Sequence, residues 1–330
     1  MNSFHTPTVS IIVPNYNHAQ FLRKRLDSIL GQTYQDFEMI LLDDCSTDES
    51  RAILQEYAHR PHVRLEFNDV NSGSGYRQWN KGVSLARGKY VWIAESDDYA
   101  DANLLQRLVE ILESDEKIMF AHCRSCRVAE DGRLAGFEDT YFKYQAPHDW
   151  NVDFCADGLD ECRNHFLFIN EVPNASAAVF RKSAYQSVGG ADESMLLCGD
   201  WKLWAAMALT GRMAYTSEPL NYYRTHGSSL RSKTSRKSVS VSESLQVVRW
   251  ILERVTLSDA ELIRVYKAHA AGWVPEILST GIPLSTKSRI LRYVRAIDPH
   301  PLRRVASPAI ETLRKSLLRH WRDFLSPRRT

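Results

Sequence analysis

The sequence lacks any long apolar run, which argues against a chain that spans a membrane. No stretch of its 330 residues approaches the ~20 consecutive apolar residues that a transmembrane helix needs. The segment from Met1 to Pro7 is polar and shows no secretory signal pattern. We therefore expect a cytoplasmic protein, free or peripheral on the cytoplasmic face of a membrane.

Cysteine is sparse and scattered, which argues against a disulfide scaffold. Six cysteines in a chain of this size suit a reducing compartment. Cys123 and Cys126 form a C-x-x-C pair, but no second pair with metal spacing follows. We interpret them as reduced strand cysteines rather than as a metal or redox site.

The net charge of +2 conceals an uneven distribution along the chain. Residues 231–330 contain 20 Lys and Arg against 8 Asp and Glu, whereas residues 1–230 contain 22 against 32. The acidic part therefore needs a cation if it handles phosphates, and the basic part favours an anionic surface.

Short apolar runs alternate with amphipathic segments in the first 125 residues, which indicates βαβ units and a mostly parallel sheet flanked by helices. The predicted strands are Val9–Val13, Phe37–Leu42, Val63–Phe67, Lys89–Ala94 and Ile118–His122. Ser46 and Glu49 predict a capping box for the helix toward Tyr57. From Arg127 to Arg224 the pattern changes to α+β.

The predicted domains are a catalytic domain over residues 1–230 and a basic, helical C-terminal extension over residues 231–330, with a linker or lid near 228–240. Ser307-Pro308 predicts the start of a last helix. Its apolar face contains Leu313, Leu317, Trp321 and Phe324, and its basic residues are Arg314, Lys315, Arg319 and Arg322. This helix either packs on the domain or lies on an anionic membrane, and we favour the membrane. No nucleic-acid module is apparent.

Three polar clusters follow predicted strands and should converge at one edge of the sheet, where ligands bind in such folds. They are Pro14-Asn15-Tyr16-Asn17, Asp43-Asp44 and Glu95-Ser96-Asp97-Asp98. Adjacent carboxylates suit Mg²⁺ or Mn²⁺, although a solvated loop that caps the next helix is the simpler alternative.

Two further segments carry candidate chemistry. Asp200 stands at a predicted helix start, beside Trp201 and Trp204, where it is either an N-cap or a general base with aromatic rings for a sugar nearby. Arg224 and His226 combine a cationic fork with an imidazole, which suits a pyrophosphate or a metal, although a lone histidine is more often structural.

Taken in order, these motifs resemble the family 2 glycosyltransferases with the GT-A fold. The resemblance covers about residues 8–230 and rests on the ordered set rather than on any single motif. The matching segments are Val9–Asn17, Ser28–Thr33, Leu41–Asp48, Asn80–Gly82, Gly88–Tyr90, Glu95–Asp98, Gly199–Trp201 and Tyr223–His226.

The resemblance implies a site for a nucleotide-sugar. Pro14 and Tyr16 would line the base, with Tyr16 stacked on it, and Asp44 would bind its edge. Asp97 and Asp98 would stand at the D-x-D element, with Asp97 toward the ribose and Asp98 toward a divalent metal, Mn²⁺ or Mg²⁺. His226 would complete the metal site and Arg224 would contact the diphosphate. Asp200 would be the catalytic base of an inverting displacement.

The sequence departs from the family pattern at three places. Glu95 replaces the first Asp of the D-x-D element, so either Glu95 or Asp97 contacts the ribose. Cys45 replaces a Gly after the paired aspartates, and Trp79-Asn80 replaces an Arg-Asn pair, with Arg77 as the nearby donor-binding candidate.

We therefore expect a metal-dependent, inverting hexosyltransferase of cell-surface polysaccharide synthesis. It would move a sugar, from a UDP-sugar by family resemblance, to a hydroxyl of a glycan or lipid-linked glycan. A sugar-phosphate nucleotidyltransferase is a competing enzyme class, but Pro14-Asn15-Tyr16-Asn17 stands where that class has a Gly-rich loop. The non-enzyme alternative is a catalytically degenerate, nucleotide-sugar-binding scaffold subunit.

Overall fold

A computed structural model describes residues 6–137, 148–227 and 237–297 of the chain. These residues belong to two compact units, one within residues 1–233 and the other within residues 234–330. The predicted helix after Ser307 lies outside the described residues. None of the described helices is both long and apolar enough to cross a bilayer.

The first unit is built on a ten-stranded mixed sheet. Its strands are β1 (Val9–Asn15), β2 (Phe37–Asp43), β3 (Val63–Phe67), β4 (Tyr90–Ile93), β5 (Tyr99–Ala100), β6 (Ile118–Ala129), β7 (Leu134–Phe137), β8 (Phe154–Asp157), β9 (Ala178–Arg181) and β10 (Arg212–Thr225). The main path runs β3-β2-β1-β4-β9-β6-β10-β5, while β7 pairs with β6 and β8 with β10.

The half of the sheet from β3 to β4 is parallel throughout, as the alternating pattern predicted. β9 then pairs antiparallel with both β4 and β6, so it separates two strands that the sequence placed in succession. β6 and β10 pair in parallel over a long register with bulges. The α/β fold with a large, mostly parallel sheet is thus confirmed.

Helices cover the sheet. In the first unit they are α1 (Ala19–Leu30), α2 (Ser50–Tyr57), α3 (Gly75–Leu85), α4 (Leu104–Ser114), α5 (Gly158–Glu161), a π-helical turn (Cys162–Phe166), a 3₁₀ turn (Ala175–Ala177), α6 (Lys182–Ser187) and α7 (Gly199–Ala208). α4 is amphipathic and buries its apolar face, including Leu108 and Leu112. α3 lies so close to β1 that a Cβ at Gly82 would come within 2.3 Å of Ile12, so a larger residue does not fit.

The predicted capping box was wrong. α2 begins at Ser50, and Glu49 at its N-cap makes no side-chain capping hydrogen bond. Asp48 instead accepts from the backbone N–H of Ser50 at 2.9 Å. Ser46 bonds to the loop after β1, because its hydroxyl accepts from Asn15 Nδ2 and from the N–H of Asn17.

The second unit contains three described helices, α8 (Lys237–Leu252), α9 (Asp259–Leu278) and α10 (Leu284–Ile297). α9 starts with a capping box in which Ser258 and Glu261 satisfy each other's backbone groups. The helices share a small apolar core that includes Leu245, Trp273 and Ile290.

Candidate active site

The loops that follow β1 and β2 are fastened together by side-chain hydrogen bonds. Asn15 Nδ2 donates to Asp43 Oδ2 at 3.0 Å, and Asn17 Oδ1 accepts from the N–H of Thr47 at 2.8 Å. Tyr16, between these asparagines, keeps 46% of its surface exposed. An exposed ring on a fixed loop is available for stacking on a flat ligand.

Asp43 and Asp44 end β2 side by side, but each faces its own set of donors. Asp43 pairs with Arg51 Nε at 2.8 Å. Asp44 Oδ1 accepts from Asn68 Nδ2 at 2.7 Å and from Gln78 Nε2 at 3.0 Å. The Ser72 N–H and hydroxyl also donate to Asp44, both at 2.8 Å. The predicted base-binding carboxylate thus organises the loop that surrounds it.

The backbone conformation of Cys45 explains why a glycine suits the position after these aspartates. Its φ is +65°, in the left-handed region that side chains with a Cβ rarely adopt. Its thiol donates to the Asp69 carbonyl at 3.3 Å, which partly offsets the backbone cost. The sequence departure at Cys45 therefore leaves the turn intact and slightly strained.

The acidic run after β4 turns its two aspartates in different directions. Asp98 is buried, and its carboxylate accepts from the Ser176 hydroxyl at 2.7 Å, from Asn174 Nδ2 at 2.9 Å and from the Arg224 N–H at 2.9 Å. Burial raises the pKa of Asp98 to about 6, and the nearby negative charge of Asp97 adds to the shift. Asp98 thus holds the strand ends together.

Asp97 faces two histidines instead. Its Oδ2 lies 2.9 Å from His226 Nε2, and one ligand atom each from Asp97, His226 and His18 lie within 4.8 Å of one another. His18 was missed by the sequence analysis because it follows the β1 motif by one residue and only the fold brings it to β4. Its Nδ1 lies 2.8 Å from the Ser96 hydroxyl, which connects the two loops.

The electrostatics of this trio favour an ionised carboxylate. Burial works to raise the pKa of Asp97, but the His226 hydrogen bond and the nearby imidazoles lower it overall. The same hydrogen bond raises the pKa of His226, whereas burial lowers that of His18. Two imidazoles and a carboxylate are a donor set that fits a divalent transition-metal ion such as Mn²⁺. Of the two aspartates, Asp97 has the geometry for this role, and Asp98 as a metal ligand stays a prediction.

A buried arginine that the sequence analysis did not single out supports the acidic run. Arg25 of α1 is fully buried, donates from Nε to the Glu95 carbonyl at 2.8 Å and lies 3.8 Å from Asp98. Glu95 itself accepts from Trp79 Nε1 at 2.8 Å, so Trp79 contacts the D-x-D element directly. Burial and the charge of Asp97 raise the pKa of Glu95 to about 8.

Arg224 and Arg77, the two arginines predicted to contact the donor, hydrogen-bond to groups of the protein. Arg224 is buried and donates from Nε to the Asp97 carbonyl at 3.2 Å and from Nη1 to the Ala129 carbonyl at 3.1 Å. Arg77 donates to the Ser72 carbonyl at 3.0 Å and pairs with Glu193 at 3.5 Å, with half of its side chain exposed. Arg224 therefore fixes the turn that presents Asp97, and Arg77 lies at the protein surface beside Ser72.

Asp200 lies in the first turn of α7 and is held from two sides. Asn170 Nδ2 donates to its Oδ2 at 3.0 Å, and the Tyr76 hydroxyl lies 3.4 Å from its Oδ1. A Cβ at Gly199 would come within 2.6 Å of the Tyr76 ring, so only glycine lets the tyrosine approach. The helix dipole favours negative charge at this position. The carboxylate is therefore oriented and suited to accept a proton.

The two tryptophans beside Asp200 do not form the predicted platform for a sugar. Trp201 is 7% exposed and donates to the Phe166 carbonyl at 2.9 Å. Trp204 is fully buried and packs against Phe120 and Phe180. The expectation that both rings face a sugar was wrong, because α7 is buried on nearly every face.

Comparisons with known proteins match part of the chain to one family. Residues 10–159 match Glycosyl transferase family 2. An uncharacterized glycosyltransferase of Nostoc sp. is 25% identical over 250 residues, which cover 72% of each chain. TuaG of Bacillus subtilis, a glycosyltransferase whose name refers to teichuronic acid biosynthesis, is 33% identical over 127 residues, which cover 38% of this chain and 50% of TuaG.

Solved structures share the fold at low identity. S. aureus TarS 1-349 in complex with UDP-GlcNAc superposes with a TM-score of 0.71 and 16% identity, over 97% of this chain and 93% of TarS. The mannosyltransferase PcManGT from Pyrobaculum calidifontis, in complex with GDP-Man and Mn²⁺, gives a TM-score of 0.56 at 16% identity, over 96% and 81% of the two chains. Residues 10–159 therefore match a family 2 glycosyltransferase, and the described chain has the GT-A fold that its motifs predicted.

Proposed function

We propose that this glycosyltransferase is metal-dependent and inverting, and that it transfers a hexose or hexose derivative from a UDP-sugar to a hydroxyl of a growing glycan. The single observation that carries the proposal is the meeting of Asp97, His226 and His18 at the sheet edge that also bears Tyr16 and Asp44. The teichuronic acid in the name of TuaG supports a glycan product, and the UDP-GlcNAc bound to TarS supports a uridine donor.

In this proposal the base of the donor stacks on Tyr16, while Asp44 and its ring of donors shape the pocket beside it. Asp97, His226 and His18 hold a divalent cation, which would neutralise the charge that develops on the departing diphosphate. Glu95 or Asp97 faces the ribose. Arg224 contributes to donor binding by fixing the turn that carries Asp97, and Arg77 lies at the exposed edge of the donor site.

Asp200 is the proposed catalytic base. Its carboxylate accepts the proton of the acceptor hydroxyl as that oxygen attacks the anomeric carbon from the face opposite the leaving group. Asn170 and Tyr76 orient it, which reduces the cost of reaching the reactive geometry. A positioned base typically contributes 10²–10⁴-fold to the rate, so we expect Asp200→Asn to lower turnover by about that factor.

The test combines donor binding with cellular function. Calorimetry with UDP, GDP, ADP and CDP, with and without Mn²⁺, should show metal-dependent binding of one nucleotide to the wild type and to Asp200→Asn alike. Binding of none by a folded sample would overturn the transferase proposal.

An experiment in cells distinguishes the transferase from the scaffold alternative. A strain whose gene carries Asp200→Asn should lose the glycan if the protein is the transferase. Unchanged glycan with intact nucleotide binding would instead favour the scaffold subunit.

We also propose that the protein acts on the cytoplasmic face of a membrane through its basic C-terminal extension. Each basic residue near an anionic surface contributes about 1 kcal/mol to attraction. Flotation of the full chain with anionic vesicles, but not with neutral ones, is the expected result. Equal flotation with both vesicles, or with neither, would contradict the proposal.

A further inference from the structure

A second group of histidines and carboxylates lies in the first unit and shares no residue with the Asp97 trio. It consists of His148 before β8, Glu161 at the end of α5, His165 in the π-helical turn and Glu171 in the loop that follows. One ligand atom from each of the four lies within 4.8 Å of all the others. We call this group the His2Glu2 cluster.

The spacing within the His2Glu2 cluster matches that of ligands around a small metal ion. His148 Nε2 lies 3.0 Å from Glu161 Oε2. His165 lies between the two glutamates, with its Nε2 3.8 Å from Glu161 Oε2 and its Nδ1 3.5 Å from Glu171 Oε1, and only one of these two nitrogens would bind the ion. A tetrahedral site with bonds of 2.0–2.1 Å separates its ligand atoms by about 3.3 Å. The two distances from Glu161 Oε2, which use Nε2 of each histidine, lie on both sides of that value.

The burial of the two carboxylates indicates that positive charge belongs between them. Glu171 is fully buried, and within the described chain no hydrogen-bond donor from outside the cluster reaches either of its oxygens. Glu161 is 4% exposed, and neither glutamate has a Lys or Arg within 4.0 Å in the described ranges. Burial, the charge of Glu161 and a hydrogen bond with the Glu161 carboxyl raise the pKa of Glu171 well above its ordinary value. Uncompensated carboxylates cost several kcal/mol each in such surroundings.

We propose that the His2Glu2 cluster is a structural zinc site, with His148, Glu161, His165 and Glu171 as its four ligands. Two imidazoles select zinc over Mg²⁺ or Ca²⁺, which prefer oxygen ligands alone. Four protein ligands leave no position for a substrate, so the site is structural rather than catalytic.

The site would stabilise the segment that orients the proposed base. Asn170, which donates to Asp200, directly precedes Glu171 in the chain. The carbonyl of Phe166, next to His165, accepts from Trp201 of α7. A zinc ion at the cluster would therefore tie His148 and α5 to the segment that contacts the start of α7.

The experiment measures the zinc content of the full chain, purified without a histidine tag and dialysed against micromolar Zn²⁺. Elemental analysis should find zinc that the Glu171→Gln and His148→Ala variants lose and that Asp97→Asn retains. Zinc affinity should fall about tenfold or more in either cluster variant. His148 is the most exposed ligand, so His148→Ala keeps the test informative if Glu171→Gln fails to fold.

Cobalt gives an independent readout. Co²⁺ bound in place of zinc should produce the intense visible absorption of a four-coordinate ion in the wild type and in Asp97→Asn, and not in Glu171→Gln. Zinc should also raise the melting temperature of the wild type but not of His148→Ala.

Two results would overturn the proposal. One is a folded wild-type chain that binds no zinc, with Glu171→Gln more stable than the wild type, since that behaviour belongs to a carboxyl pair that shares a proton. The other is zinc that only Asp97→Asn loses, which would assign all of the metal to the Asp97 trio.

Discussion

The acidic clusters after β2 and β4 look alike in sequence and differ in how the fold satisfies them. Asp43 and Asp44 accept hydrogen bonds from neutral amides, hydroxyls and backbone N–H groups, and among the described residues Arg51, whose side chain is partly exposed, is the cation that pairs with Asp43. The run from Glu95 to Asp98 instead packs against a buried cation, Arg25 of α1, and its Asp97 faces two imidazoles. A carboxylate surrounded by fixed donors organises a loop, whereas one facing titratable ligands is suited to bind a cation.

The largest expected effect is on stability, where loss of Arg25 should cost much more than loss of Arg51. Arg25→Met should lower the free energy of unfolding by about 3–5 kcal/mol, because it leaves buried carboxyl groups without their cation. Arg51→Met should cost only a small fraction of that, since the Arg51 side chain is 37% exposed and its ion pair is screened by solvent. Urea unfolding followed by circular dichroism measures both. Equal losses would remove the distinction between the clusters.

The next largest effect concerns the dependence of nucleotide binding on the metal ion. Asp97→Asn should weaken Mn²⁺-dependent nucleotide binding at least about 100-fold, because even outer-shell partners of a metal ligand contribute ~10–100-fold. Asp44→Asn is the matched control. It should weaken binding equally with and without Mn²⁺, because Asp44 shapes the pocket without facing the Asp97 trio. Calorimetric titrations at both metal conditions give the ratio, and a metal-dependent loss in Asp44→Asn would contradict the comparison.

Tyr16 should have a smaller effect on the same site. Tyr16→Ala should reduce nucleotide affinity about tenfold, since stacking of a base on an aromatic ring contributes ~1–3 kcal/mol. Tyr16→Phe keeps the ring and should bind as the wild type does. If Tyr16→Phe loses affinity as Tyr16→Ala does, the hydroxyl rather than the ring makes the contact.

The smallest expected effect is a gain in stability. Cys45→Gly should raise the free energy of unfolding by about 1 kcal/mol or less, because relief of left-handed backbone strain outweighs the added flexibility of the unfolded chain. Cys45→Ala loses the same thiol hydrogen bond without relieving the strain, so it should show no gain. Thermal unfolding of the three proteins measures the difference, and a gain in Cys45→Ala would refute the strain argument.

Much of the fold could be predicted from local sequence, but its central pairing could not. Of the five early strands, β1, β2 and β4 follow from apolar runs whose length and spacing reflect burial on both faces, whereas β3 is only partly buried. β9 could not be placed between β4 and β6, because its antiparallel pairing joins segments far apart in the chain. Ser46 was misjudged as a cap because its hydroxyl satisfies the loop after β1, which local propensity does not reveal.

The sequence by itself determined the family, the polar clusters at the strand ends and the chemistry that those residue types permit. Only the tertiary structure decided which side chains meet. It turned Asp97 toward His18 and His226, Asp98 toward Ser176 and Asn174, and Arg25 into the core. The physical reason is that a motif specifies the order of residues along a strand end. The direction of each carboxylate depends on donors that come from distant elements and are brought together only by the packed sheet.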